Sequence, residues 1–185
     1  MGYNPETDHR RSIRLRDYDY SGVGAYFVTI CVHGRECLLG GIRDGEMSLN
    51  AAGQMVAAMW RELHNKFPTI ELDTFVIMPN HFHGIIVFVG APLCGCPDLD
   101  GSTSIKGRPH RAAPTLGDAM DWFKTMTTNA YIRGVKECGW SPFPGRLWQR
   151  NYYERVIRDD AELAGIREYI RNNPANWADD EEYQP

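Results

Sequence analysis

The apolar pattern of the chain predicts an α+β domain, with one antiparallel sheet and helices packed on one of its faces. Three observations carry that expectation. Short runs dense in aromatic and β-branched residues, such as "AYFVTICVH" from Ala25 and "HGIIVFV" from His83, have the composition of strands. Longer segments repeat apolar residues at the spacing of one helix face. The two kinds follow one another as strand, hairpin, helix, strand, strand, helix, strand, helix, with no internal repeat. A chain of 185 residues, 43% of them apolar, is long enough for one domain with its own core.

After the first strand, "CLLGGIRDGEMSL" places Asp44-Gly45 between two short apolar pieces, the turn chemistry of a hairpin. Asn50 then caps a helix whose apolar face is Ala52, Val56, Met59, Leu63 and Phe67. "LDTFVIM" and "HGIIVFV" are separated only by "PNHF" and form adjacent strands with a tight connection. Residues 90–114 are dense in Gly, Pro, Ser and Asp and form a long loop; Lys106, Arg108 and Arg111 fit either a nucleic-acid contact or a tolerated insertion. The next helix starts at Thr115 with Asp118 in a capping-box position, carries Leu116, Ala119, Phe123, Met126 and Ala130 on one face, and stops near Gly134. "LWQRNYYERVI" supplies the last strand, and Asp159 and Pro174 bound a final helix. This order fits a ferredoxin-like or RNA-recognition-like sandwich, an architecture that by itself fixes no function.

Composition narrows the function. No stretch approaches the roughly 20 apolar residues of a membrane span, and "MGYNPETDHRR" lacks the apolar core of a signal peptide, so a cytoplasmic protein is expected. The five cysteines are odd in number and scattered, as reduced thiols are. The net charge of −4 equals the contribution of Asp179, Asp180, Glu181 and Glu182, so the rest of the chain is neutral and a broad basic surface for duplex DNA is absent. Two local basic stretches remain. Arg10, Arg11, Arg14 and Arg16 lie in an N-terminal arm over residues 1–24, and "RLWQRNYYERVIR" carries Arg150, Arg155 and Arg158 among aromatic rings. Basic residues interleaved with rings suit single-stranded nucleic acid, and they equally suit a solvated face. An acidic tail over 175–185 closes the chain.

Chemistry concentrates in two places. In "MPNHFHG", alternate residues of a strand point to the same side, so His81 and His83 project together while Phe82 enters the core. Two such imidazoles can share one cation, or each can bond a backbone carbonyl. On the last helix, Leu163, Ile166 and Ile170 form the buried stripe and Tyr169 falls at its edge, with Asn173 one turn further on the same side. A phenol and an amide can face one location there; the alternatives are a ring that packs with its hydroxyl in water, and a C-terminal cap beside Pro174.

The segments "MPNHFHGIIV", "LWQRNYYERVIRD" and "YIRNNP", in that order, resemble the REP-associated tyrosine transposases of the HUH (His-hydrophobic-His) single-tyrosine superfamily, from about Tyr26 to Pro174. The resemblance implies a metal-dependent single-stranded DNA endonuclease and strand transferase that cleaves near hairpins of repetitive extragenic palindromes through a covalent 5′-phosphotyrosine. It implies Tyr169 as nucleophile and His81, His83 and Asn173 as ligands of Mg²⁺ or Mn²⁺. Arg10, Arg11, Arg14, Arg16, Arg150, Arg155 and Arg158 are then the DNA-contacting candidates, and the active unit is a monomer or a homodimer. After "NNP" the sequence departs from the family pattern with "ANWADDEEYQP". The reading from a different class is an RNA-recognition-type module that binds single-stranded nucleic acid without cutting it.

Overall fold

The computed structural model describes residues 24–89, 114–180 and 183. Arg10, Arg11, Arg14 and Arg16 of the arm, and Lys106, Arg108 and Arg111 of the 90–114 segment, lie outside the described residues, as do Cys94 and Cys96. The elements are β1 (Gly24–Cys31), β2 (Gly40–Arg43), β3 (Glu46–Leu49), α1 (Ala51–Lys66), β4 (Ile70–Ile77), β5 (His81–Phe88), α2 (Leu116–Cys138), β6 (Tyr153–Ile157) and α3 (Asp160–Asn172). Four strands form one antiparallel sheet in the order β4-β5-β1-β6, and β2 with β3 forms a separate hairpin. The α+β class and single main sheet are as the sequence predicts. Among the described residues no helix is long and apolar enough to cross a membrane.

Local chemistry explains most boundaries. Asn50 accepts a hydrogen bond from the Gly53 N–H at 2.9 Å and caps α1. Thr115 and Asp118 close a reciprocal capping box on α2. Asp159 accepts from the Glu162 N–H at 2.8 Å and starts α3. Asp44 and Gly45 both adopt positive φ, as the tight turn between β2 and β3 requires. One boundary differs from expectation. Helix α2 passes through Gly134 and ends at Gly139, whose φ of 67° is left-handed. Gly134 is needed instead for packing, because a Cβ there would come within 2.2 Å of the Trp140 ring.

The sheet is buried on both sides, by different partners. Tyr26, Val28 and Ile30 of β1 and Phe82, Ile86 and Phe88 of β5 join α1 and α2 in the main core, around Trp60, Leu63, Met120 and Phe123. Trp60 approaches so closely that a Cβ on Gly84 would lie 2.8 Å from its ring. The alternate residues Phe27, Ile85 and Ile157 meet Ile170, Leu163 and Ile166 of α3 in a second, smaller cluster. Helix α3 therefore packs on the face opposite α1 and α2, where the sequence pattern had suggested a shared face. An amphipathic stripe specifies that a helix is covered, and a sheet with two apolar faces offers it either side.

Candidate active site

The second face carries the polar residues. His81 and His83 lie on β5, and both side chains point toward α3 because they share the odd-numbered register with Ile85 and Val87. They are buried, their ring centroids are 4.5 Å apart, and His83 stacks on Phe27 at 5.4 Å. Each ring has its Nδ1 engaged. His81 Nδ1 lies 2.9 Å from Asn80 Oδ1, and His83 Nδ1 lies 2.8 Å from Thr29 Oγ1. The Asn80 amide is oriented by its own Nδ2, which donates to the Arg35 carbonyl at 3.1 Å, so Oδ1 faces His81 and His81 Nδ1 must be the donor. His81 Nε2 is left as a bare lone pair, buried and without a hydrogen-bond partner.

Helix α3 and the turn after it supply the other side. Tyr169 is half-exposed, with its hydroxyl 3.4 Å from His83 Nε2 and its ring edge-on to both His83 and Phe27. Arg167, on the same helix, makes a two-pronged ion pair with Asp73 of β4, Nε to Oδ1 at 2.9 Å and Nη2 to Oδ2, which fastens α3 to the sheet edge. Asn173 is buried, and its Oδ1 has no hydrogen-bond partner. Its Nδ2 donates to Asp180 Oδ2 at 3.2 Å.

Asp180 is the residue that sequence reasoning missed. A short 3-10 turn over Trp177–Asp179 folds the tail back, and Asp180 Oδ2 comes to 4.0 Å from His81 Nε2. His81, His83 and Asp180 offer three ligand atoms within 4.8 Å of one another, a set able to hold a metal ion. The orphaned His81 Nε2 and Asn173 Oδ1 fit the same role, since buried acceptors left without donors are otherwise costly. Burial lowers the His81 pKa to about 4, against the opposing pull of Asp180 and the Asn173 amide. Burial also holds His83 well below its ordinary value, and His81 adds to that effect. Both rings are therefore neutral at pH 7, the form that ligates a cation.

A cleft of about 580 Å³ opens over these groups, lined by Phe27, Thr29, His83, Tyr153, Tyr169, Asn173, Asn176, Asp179 and Asp180. Of the expected DNA contacts, Arg150 borders a different groove beside α2, while Arg155 and Arg158 gather at Glu162 near the start of α3, and none of the three lines this cleft. The rival tyrosines separate. Tyr152 packs against the main core, and Tyr153 faces the cleft.

No protein-family model matches the chain. It is 40% identical, over 98% of its own length and 97% of the other, to an uncharacterized protein of Haemophilus influenzae. Among solved structures it is similar in fold to a REP-associated tyrosine transposase bound to a REP hairpin, with a TM-score of 0.55 and 18% identity across 90% of this chain and 74% of that one.

Proposed function

We propose that this chain, which belongs to one family with the Haemophilus influenzae protein and shares the fold of a REP-associated tyrosine transposase, is a metal-dependent single-stranded DNA nuclease and strand transferase acting near hairpins. One observation carries the reading. A phenol hydroxyl 3.4 Å from one buried neutral imidazole stands in one cleft with an amide and a carboxylate, and a second, fully buried imidazole lies within metal-sharing reach of them; the second imidazole and the amide oxygen have no hydrogen-bond partner.

His81, His83, Asp180 and the Asn173 amide oxygen would hold Mg²⁺ or Mn²⁺. When bound, the ion offsets the charge of the cleft and polarises the scissile phosphoryl oxygens. Asp179 and Asp180 on the cleft wall would otherwise repel a phosphodiester.

Tyr169 is the nucleophile in this reading. Its oxygen forms a bond to phosphorus as the P–O3′ bond breaks. The electron pair of that bond goes to O3′, which takes up a proton, and the phenolic proton leaves to water at the open mouth. The product is a 5′-phosphotyrosine with a free 3′-OH, which conserves the ester for rejoining. Thr29 and Asn80 fix the imidazoles, and the Asp73–Arg167 pair holds the nucleophile's helix in place.

The test is a denaturing gel of protein with hairpin-bearing single-stranded DNA labelled 3′ of the cut, with Mg²⁺ or Mn²⁺, beside EDTA and Tyr169→Phe controls. A metal-dependent covalent band that vanishes in Tyr169→Phe is expected. Tight binding with no band would make the protein a non-cleaving binding module. A band that persists in Tyr169→Phe would move the nucleophile to Tyr153, the other tyrosine facing the cleft.

A further inference from the structure

We infer that Tyr153 is a stacking platform for a base of the bound single strand, reached from a basic ledge formed by residues 146–150; the inference rests on the DNA reading above. Tyr153 opens β6, an edge strand of the sheet, and is 53% exposed. It pairs directly with Thr29, the residue whose hydroxyl holds His83 Nδ1 at 2.8 Å. Opposed residues of an antiparallel pair point to the same side, so the Tyr153 ring stands on the α3 face, across Thr29 from His83, and lines the same cleft as Tyr169. An aromatic ring left half in water on a cleft wall presents a π-face to whatever enters. Arg155, next on that side of β6, is ion-paired with Glu162, so the ring is the more available contact.

The chain just before Tyr153 supplies the charge. A second groove of about 570 Å³ is bordered by Lys124, Thr125, Thr128, Arg146 and Arg150. Its ledge is unusually well fixed for a loop. Lys124 Nζ donates to the Gln149 and Arg150 carbonyls at 2.7 and 2.8 Å, and the Gln149 N–H donates to Cys31 O at 2.9 Å. Leu147 O accepts from the His33 N–H at 2.8 Å, and the Trp148 indole donates to Thr127 Oγ1 at 2.8 Å. Lys124 is thereby used internally, leaving the exposed guanidinium groups of Arg146 and Arg150 as the outward charges. From Arg150 to Tyr153 the chain covers at most about 10 Å, so a bound strand would round the β6 edge of the sheet from the α2 side, where the groove lies, to the α3 side, where the ring stands. A rigid cationic ledge leading to an exposed ring is the combination that single strands recognise, since phosphates take the charge and any base offers a face to stack.

The probe is a fluorescein-labelled strand of about twelve thymidines, within the range of single-strand site sizes, titrated in EDTA so that binding is read without cleavage. Tyr153→Ala should weaken binding roughly 5- to 150-fold, the effect of losing one base–aromatic stack, and Tyr153→Phe should restore most of it. Arg146→Ala and Arg150→Ala should each lower the slope of log affinity against log salt by about 0.7. Unchanged affinity in Tyr153→Ala would overturn the inference while leaving the nuclease reading intact. Equal weakening by Tyr153→Phe would also overturn it, because the hydroxyl rather than the ring would then be at work. A wild type that binds neither this strand nor a hairpin substrate would overturn both.

Discussion

The two faces of the one sheet differ in kind. Against α1 and α2, β1 and β5 present Tyr26, Val28, Ile30, Phe82 and Ile86 to a large apolar core. Against α3, the same two strands present Phe27, Thr29, His81 and His83, and among the described residues four form the buried apolar cluster there. Strand periodicity makes this division possible, because neighbouring residues on one strand answer to different neighbourhoods. The first face, with the larger apolar core, stabilises the fold and thereby lets the second carry buried polar side chains.

That comparison can be broken from either side. The largest expected effect on folding is Trp60→Ala, which removes the ring that meets Phe75, Phe82 and Phe123 and should cost about 3–5 kcal/mol. Chemical denaturation would measure it, and a loss below about 1 kcal/mol would mean that the main core lies elsewhere. His81→Ala should show the opposite profile, with strand cleavage abolished and hairpin affinity mostly kept. Equal loss of both would make the histidines structural.

Acid should sharpen the contrast. His81 holds a pKa near 4 in the fold and His83 also lies well below the ordinary 6.5, so in the window between 6.5 and about 4 the unfolded chain binds more protons than the folded one. Stability rises with pH across that window and is lost as pH falls through it. Thermal unfolding should track this decline, and the double variant His81→Gln, His83→Gln should flatten it; a wild-type profile already flat would mean that the rings protonate freely in the fold. The smallest effect on folding is expected from Asp73→Asn. The Arg167 guanidinium holds the Asp73 carboxyl at about 2, but the pair is partly open to solvent, so its removal should cost no more than about 1 kcal/mol. Cleavage should fall further, up to about 100-fold if Tyr169 shifts by an ångström. Parallel losses of melting temperature and cleavage would show that the pair stabilises without positioning.

The sequence makes the histidine pair legible because the strand period alone puts His81 and His83 on one side, and the helical period places Tyr169 beside the Leu163, Ile166 and Ile170 stripe. Asp180 is not legible. It belongs to an acidic run that carries no periodicity, and it reaches His81 only because a short turn reverses the chain after Pro174. The face chosen by α3 is hidden for a related reason, since Ile170 would suit either side of a two-faced sheet. Gly134 misleads because a glycine inside a helix and one that ends it look alike until the Trp140 ring is seen against it.

The Nδ1 contacts made by Asn80 and Thr29 have a calorimetric consequence. With both imidazoles already neutral and the His81 tautomer already set, capture of a divalent ion near pH 7.5 would displace no proton from either ring. The heat of metal uptake should therefore be the same in buffers of very different ionisation enthalpy. It should become buffer-dependent only when the solution is acidic enough to load His81 with the proton that the fold keeps off it.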